Sequence, residues 1–163
     1  NFLQESVAPW ERGEIPAEPA LYPNNVRTAA LWRKSYITCQ EMFYAIRHLS
    51  IAGRLMQDAA KTELAKSWLL ALARWDVDGA TSHSYNDEAA FRCATALAWG
   101  YDWLYEALSQ DERAEVRGAL IARGRQIARS HYLIRCLLAP GRGRYLSFSY
   151  QRTIPPPSDC VCQ

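Results

Sequence analysis

Hydrophobic and polar positions fall into helical steps from about Val26 onward. Leu31, Thr38, Met42, Ala45, Leu49 and Ala52 recur three, four or seven residues apart, and Trp32, Tyr36, Cys39, Phe43 and Ile46 trace a second stripe beside them. A helix with two apolar stripes packs on two sides. Gly53 is its expected stop. A second helix puts Ala60, Leu64, Trp68, Ala71 and Trp75 on one face, with Glu63, Lys66 and Arg74 off it. A third, from about Asp87 to Leu108, carries Ala90, Ala94, Leu97, Tyr101, Leu104 and Leu108 in the same steps. Ser84 and Asn86 are its candidate caps, and Asp87 and Glu88 suit the positive end of a helix dipole. Ser109 followed three residues later by Glu112 has the spacing of a capping box, so a fourth helix starts there. Val116, Leu120, Ile127, Ile134 and Leu138 form its stripe, interrupted by Arg123, Gly124 and His131, and Pro140 with Gly141 closes it.

The pattern divides the chain into three. Residues 1–24 hold Pro9, Pro16, Pro19 and Pro23 with few periodic apolar positions, which predicts an extended Pro-rich arm. Residues 25–139 are helical: two antiparallel hairpins in succession, joined by the segment around residues 75–86. Residues 140–163 have no helical period and three consecutive prolines, and read as an irregular tail. The fold class is therefore all-α, and successive hairpins of this length build bundles, solenoids or α/α toroids.

Composition narrows the function classes. The chain has 163 residues, 49% hydrophobic and 22% charged, enough for one domain with a substantial core. A formal charge of +2 gives no general case for nucleic acid or membrane as partner. The late arginines, from Arg113 to Arg144, are able to meet a polyanion, though a solvated helix face is the better explanation of them. No run is long enough for a membrane span, and "NFLQESVAPW" has neither an initiator Met nor a leader pattern, so a processed or cut chain is expected. Cys39, Cys93 and Cys136 sit inside helical patterns, as small buried thiols do. Cys160 and Cys162 lack metal-site spacing. Neither a zinc site nor a disulfide framework is expected.

Candidate chemistry gathers in "WDVDGATSHSYNDEAAF", residues 75–91. His83 can exchange a proton near neutral pH, and Tyr85 and Asn86 can hydrogen-bond a substrate. Surface and capping roles are the plainer alternatives. On the third helix, Trp99 projects near Arg92, Thr95 and Asp102, away from the main stripe. An aromatic face beside polar groups suits a sugar ring, whereas packing of Trp99 and Trp103 on a neighbouring helix would explain the same pattern. Asp76, Asp78 and Gly79 lack the remaining ligands of a calcium loop. Asp87 and Glu88 are adjacent and point about 100° apart, a poor geometry for paired glycosidase carboxylates.

The Trp75-Asp76-x-x-Gly79 turn, the acidic-start helix with Tyr101-Asp102-Trp103-Leu104-Tyr105, and then Leu108-Ser109 before Glu112-Arg113 occur in a fixed order. Over about residues 20–135 this resembles the N-terminal helical part of the heparinase II/III-like polysaccharide lyases. The resemblance implies an incomplete α/α toroid followed by β-sandwich domains, and cleavage of uronate-containing polysaccharides, alginate or glycosaminoglycan, by β-elimination. It implies no metal or cofactor, an anionic polysaccharide or oligosaccharide as partner, C-terminal domains of the same protein, and a bacterial periplasmic or secreted location. No residue here matches that family's catalytic positions, so catalytic roles are expected outside this chain. His83, Tyr85, Asn86 and Trp99 are the expected substrate contacts. Two other classes fit the helices: a helical-repeat interaction module, disfavoured because residues 25–75 and 86–138 share no motif, and an α/α-toroid glycoside hydrolase, for which Asp76, Asp78 and Asp102 are available.

Overall fold

The computed structural model describes residues 2–128. It contains helices α1 (Phe2–Glu11), α2 (Ala29–Met56), α3 (Ala59–Ala73), α4 (Asp87–Trp103) and α5 (Gln110–Ala128), with no strand among the described residues. The expected end of the last helix near Pro140 and the tail over residues 140–163 lie outside them.

The predicted helices form where their caps and stripes permit. Thr28 and Asp58 accept from the backbone N–H groups of Leu31 and Lys61, closing the starts of α2 and α3. Ser109 Oγ accepts from Glu112 N, and a Glu112 carboxylate oxygen accepts from Ser109 N at 2.7 Å, completing the capping box before α5. Gly53 does not stop α2, which runs to Met56 and ends on Gln57 in the left-handed region at φ 54°. The glycine serves packing instead: a Cβ there would stand 2.6 Å from Thr62 Oγ1 and 3.0 Å from Thr62 N, so its absence lets α3 fold back tightly on α2.

The N-terminal arm is only partly extended. Residues Phe2–Glu11 are helical despite Pro9. The reason is tertiary: Val7 is fully buried in the core cluster, Trp10 meets Trp68 edge-on at 6.1 Å, and Glu11 pairs with Lys61 Nζ at 2.8 Å. That contact and Asp58 explain why Lys61 sits buried on α3. Residues 12–22 then run without helix to a 3-10 turn at Pro23–Asn25.

The helices form two layers. Asn86 meets Trp32, Cys93 meets Cys39, and an added Cβ on Gly100 would strike Ile46 Cγ2 at 2.9 Å. Both members of each successive pair advance by seven residues, two helical turns, so α4 lies parallel to α2. Lys66–Glu112 and Arg74–Glu115 tie α5 to α3 and run in the same sense along both helices. Between the layers sit Met42, Ile46, Leu49, Trp68, Leu69, Leu72 and Leu97, all buried. Each large side chain contributes about 1.5–3 kcal/mol of burial. No described helix is long and apolar enough to cross a membrane.

Candidate functional site

The segment between α3 and α4 is held from both sides. The arm supplies Glu18, which accepts from Asp76 N at 3.0 Å, and Tyr22, whose backbone N–H donates to Tyr85 Oη and whose ring stacks on Tyr85 at 4.7 Å. From α5, Arg123 donates to Thr81 O and Thr81 Oγ1, and Gln126 donates to Val77 O and Asp78 Oδ1. Asp76 Oδ1 in turn accepts from Asp78 N at 2.9 Å, so both aspartates are engaged in the turn itself. Among the described residues, no three His, Cys, Asp or Glu side chains are grouped to hold a metal ion.

The four expected substrate contacts have different settings, although Tyr85 and Asn86 share Tyr22 as a partner. Asn86 is buried: Oδ1 accepts from Ala89 N at 3.1 Å as the N-cap of α4, while Nδ2 donates to Trp32 O and to Tyr22 Oη. Tyr85 is engaged with Tyr22, as above. The half-buried His83 lies edge-on to Phe91 at 5.6 Å, and its N–H donates to Gln126. Trp99 stacks on Trp103 at 5.5 Å and 3° and packs against the core, with its indole Nε1 buried and unbonded.

A different set of residues converges one helix pair away. Trp32, Arg33 and Tyr36 of α2 face Glu88, Phe91, Arg92 and Thr95 of α4 across a groove of about 650 Å³, a size ordinary for ligand sites. The Arg92 guanidinium lies 5.5 Å from the Tyr36 ring centroid, and its Nε is buried without a hydrogen-bond partner. Along α2 the groove runs into a second hollow of about 380 Å³, lined by Arg33, Tyr36, Ile37, Gln40, Glu41 and Tyr44. Chemically this is a trough of ring faces carrying Arg33 and Arg92, with the carboxylates of Glu88 and Glu41 also in its lining, and it suits a ligand with apolar faces whose negative charge meets the guanidinium groups.

No protein-family model matches the chain, and no curated protein matches it.

Sequence reasoning placed Arg92 and Thr95 on one face but missed the α2 half of the groove. The helical stripe puts Trp32 and Tyr36 in the core, whereas Tyr36 is only half-buried. The useful signal was Arg33 beside them, one residue off an aromatic stripe.

Beyond the groove, along α2, His48 stacks on Tyr44 at 5.9 Å. Arg47 Nη2 stands 3.1 Å from its Nε2 and Trp10 Nε1 3.4 Å from its Nδ1. Both neighbours are donors, while a neutral imidazole has one acceptor nitrogen and an imidazolium none. Burial, and then the Arg47 charge, hold the His48 pKa below its ordinary value.

Proposed function

We propose that this chain is the helical part of a heparinase II/III-like polysaccharide lyase, with α2–α5 forming a segment of an incomplete α/α toroid. The groove between α2 and α4 is then one wall of the substrate cleft, and the ligand is a uronate-containing polysaccharide of alginate or glycosaminoglycan type. The observation that carries this is Arg92, whose guanidinium lines the groove with Nε unbonded, beside Arg33 and the rings of Trp32, Tyr36 and Phe91. A uronate needs both features. Ring faces take the C–H face of the sugar, and a planar guanidinium takes its carboxylate through paired, charge-assisted hydrogen bonds.

The two parallel layers support the toroid reading, because hairpins stacked side by side keep each layer's helices in one direction. In β-elimination, neutralising the carboxylate eases loss of the C5 proton, and that is the role this reading gives Arg33 and Arg92. The proton-transfer groups are expected from other domains of the lyase, in a bacterial periplasmic or secreted protein. In this reading the segment 75–86 frames the cleft rather than touching the glycan, since Asn86 fixes the backbone of Trp32.

The test is calorimetric titration with oligoalginate, heparan and chondroitin oligosaccharides, against a neutral cello-oligosaccharide. We expect binding of at least one acidic ligand, none of the neutral one, and weakening with added salt. Arg92→Met should weaken binding at least about tenfold, roughly 1.4 kcal/mol, with no unsaturated uronate released by the chain itself. Equal binding of neutral and acidic ligands, or indifference to both Arg92→Met and Arg33→Met, would refute the assignment.

A further inference from the structure

The trough along α2 consists of two hollows that share Arg33 and Tyr36 and differ in what they lack. In the lining of the first, Arg92 holds a buried donor, Nε, with no acceptor. In the second the need is reversed. Gln40 donates through Nε2 to Tyr44 Oη at 2.8 Å, which fixes its amide, and leaves Oε1 buried with no donor. A buried polar atom without a partner carries a desolvation penalty, so each of these atoms favours a ligand group of the opposite kind. An ionised carboxylate offers acceptors alone and answers Arg92. Only a hydroxyl or an amide N–H answers Gln40 Oε1.

Charge divides the hollows in the same way. The first sets Arg33 and Arg92 against the half-buried Glu88, whereas the second sets the shared Arg33 against the exposed Glu41. Arg47 lies beyond that lining, over the Phe43 and Tyr44 rings. Across the trough two guanidinium groups therefore face two carboxylates, and one further negative charge is accommodated beside Arg92 but not a second beside Glu41. A chain with an acid on every sugar brings like charge to the second hollow. A chain in which acidic and uncharged sugars alternate does not. A fixed like charge is an ordinary means of rejecting a wrong partner on a surface whose attraction alone would accept any polyanion.

We propose that the second hollow is a subsite for an uncharged sugar, with Gln40 and Glu41 as specificity-determining residues, so that the ligand is a chain in which a uronate alternates with an unsulfated, hydroxyl- and amide-bearing sugar. This rests on the reading of the trough as a glycan cleft and narrows it: continuous uronate chains, and chains sulfated on the sugar next to the uronate, are disfavoured.

The test is calorimetric titration of the full chain at low salt with two probes of equal length. One is an unsulfated hyaluronan hexasaccharide, in which glucuronate alternates with N-acetylglucosamine; the other is oligomannuronate, with a carboxylate on every sugar. Attraction to net charge alone would favour oligomannuronate. We expect hyaluronan to bind more tightly by about fivefold, the size of one exposed like-charge contact. Glu41→Gln should bring the ratio near one by strengthening oligomannuronate alone, and Gln40→Met should weaken hyaluronan alone. Glu88→Gln, in the first hollow, should strengthen both and leave the ratio as it was. Equal affinities in the wild type, tighter oligomannuronate, or a ratio that Glu41→Gln leaves unmoved or Glu88→Gln moves equally, overturns the subsite while Arg92→Met still weakens both ligands and the cleft reading stands. If neither probe binds, or Arg92→Met changes nothing, the cleft reading fails and the subsite falls with it.

Discussion

Replacing Asn86 separates a helix cap from a tertiary tie. In Asn86→Ala the Ala89 N–H loses its acceptor at 3.1 Å, which costs about 0.5–2 kcal/mol. The bonds from Nδ2 to Trp32 O and Tyr22 Oη are long, 3.4 and 3.5 Å, so together they contribute at the low end, about 0.5–1.5 kcal/mol. Asn86 is also 1% exposed, so water cannot readily take over these contacts. The expected total is roughly 1–3.5 kcal/mol. Asn86→Ser keeps a capping oxygen but is too short to reach Trp32 and Tyr22, and should recover the cap's share, about 1 kcal/mol. Urea unfolding at constant m reads both values. A loss below about 0.5 kcal/mol in Asn86→Ala, or equal stability of the Ala and Ser variants, would refute this division.

Two further outcomes follow from the same contacts. Gly53→Ala should destabilise by about 1–3 kcal/mol through overpacking, since its Cβ would press on Thr62, whereas Gly118→Ala and Gly124→Ala, with nothing within 4 Å, should each stabilise by about 0.5–1 kcal/mol; the same sign at all three sites in urea unfolding would contradict the packing. His48 has a folded pKa below its ordinary value, so the unfolded chain binds the extra proton first: stability is full above pH 6.5 and falls as pH drops through 6.5 towards the folded value. Asp58 and Glu112, whose pKa values are also lowered, act at more acid pH. Denaturation midpoints at pH 7.5 and 5.5 should therefore differ in the wild type and converge in His48→Gln; a flat wild-type profile would refute it.

Helical periodicity reads correctly where a helix carries its own instructions. Ser109 and Glu112 are three residues apart, and the cap they form needs nothing else. The α2 stripes likewise predict burial of Met42, Ala45, Ile46 and Leu49, because a helix buried on two sides has little choice of face. Errors arise where a distant partner decides. Four prolines argued for an extended arm, yet Val7, Trp10 and Glu11 find Trp68 and Lys61 on α3, and that contact outweighs the hydrogen bond lost at Pro9. Arg123 interrupts an apolar stripe and so reads as solvated; its burial depends on Thr81, in a segment with no period at all.

The groove was hidden for a related reason. Its residues alternate between two helices that are far apart in sequence, and its shape depends on their parallel register, which neither helix encodes alone. Asn86 is where that register meets the segment before α4: one oxygen starts α4, and the amide on the same side chain holds the carbonyl of Trp32, a groove residue on α2. A loop residue thereby sets the distance between the two walls without entering the space between them. It follows that substitutions at Asn86 and at Arg92 should act differently on a glycan ligand. The first loosens the walls and lowers stability together with affinity, while the second removes a charge from a frame that stays intact, and only it should make acidic and neutral oligosaccharides alike to the protein.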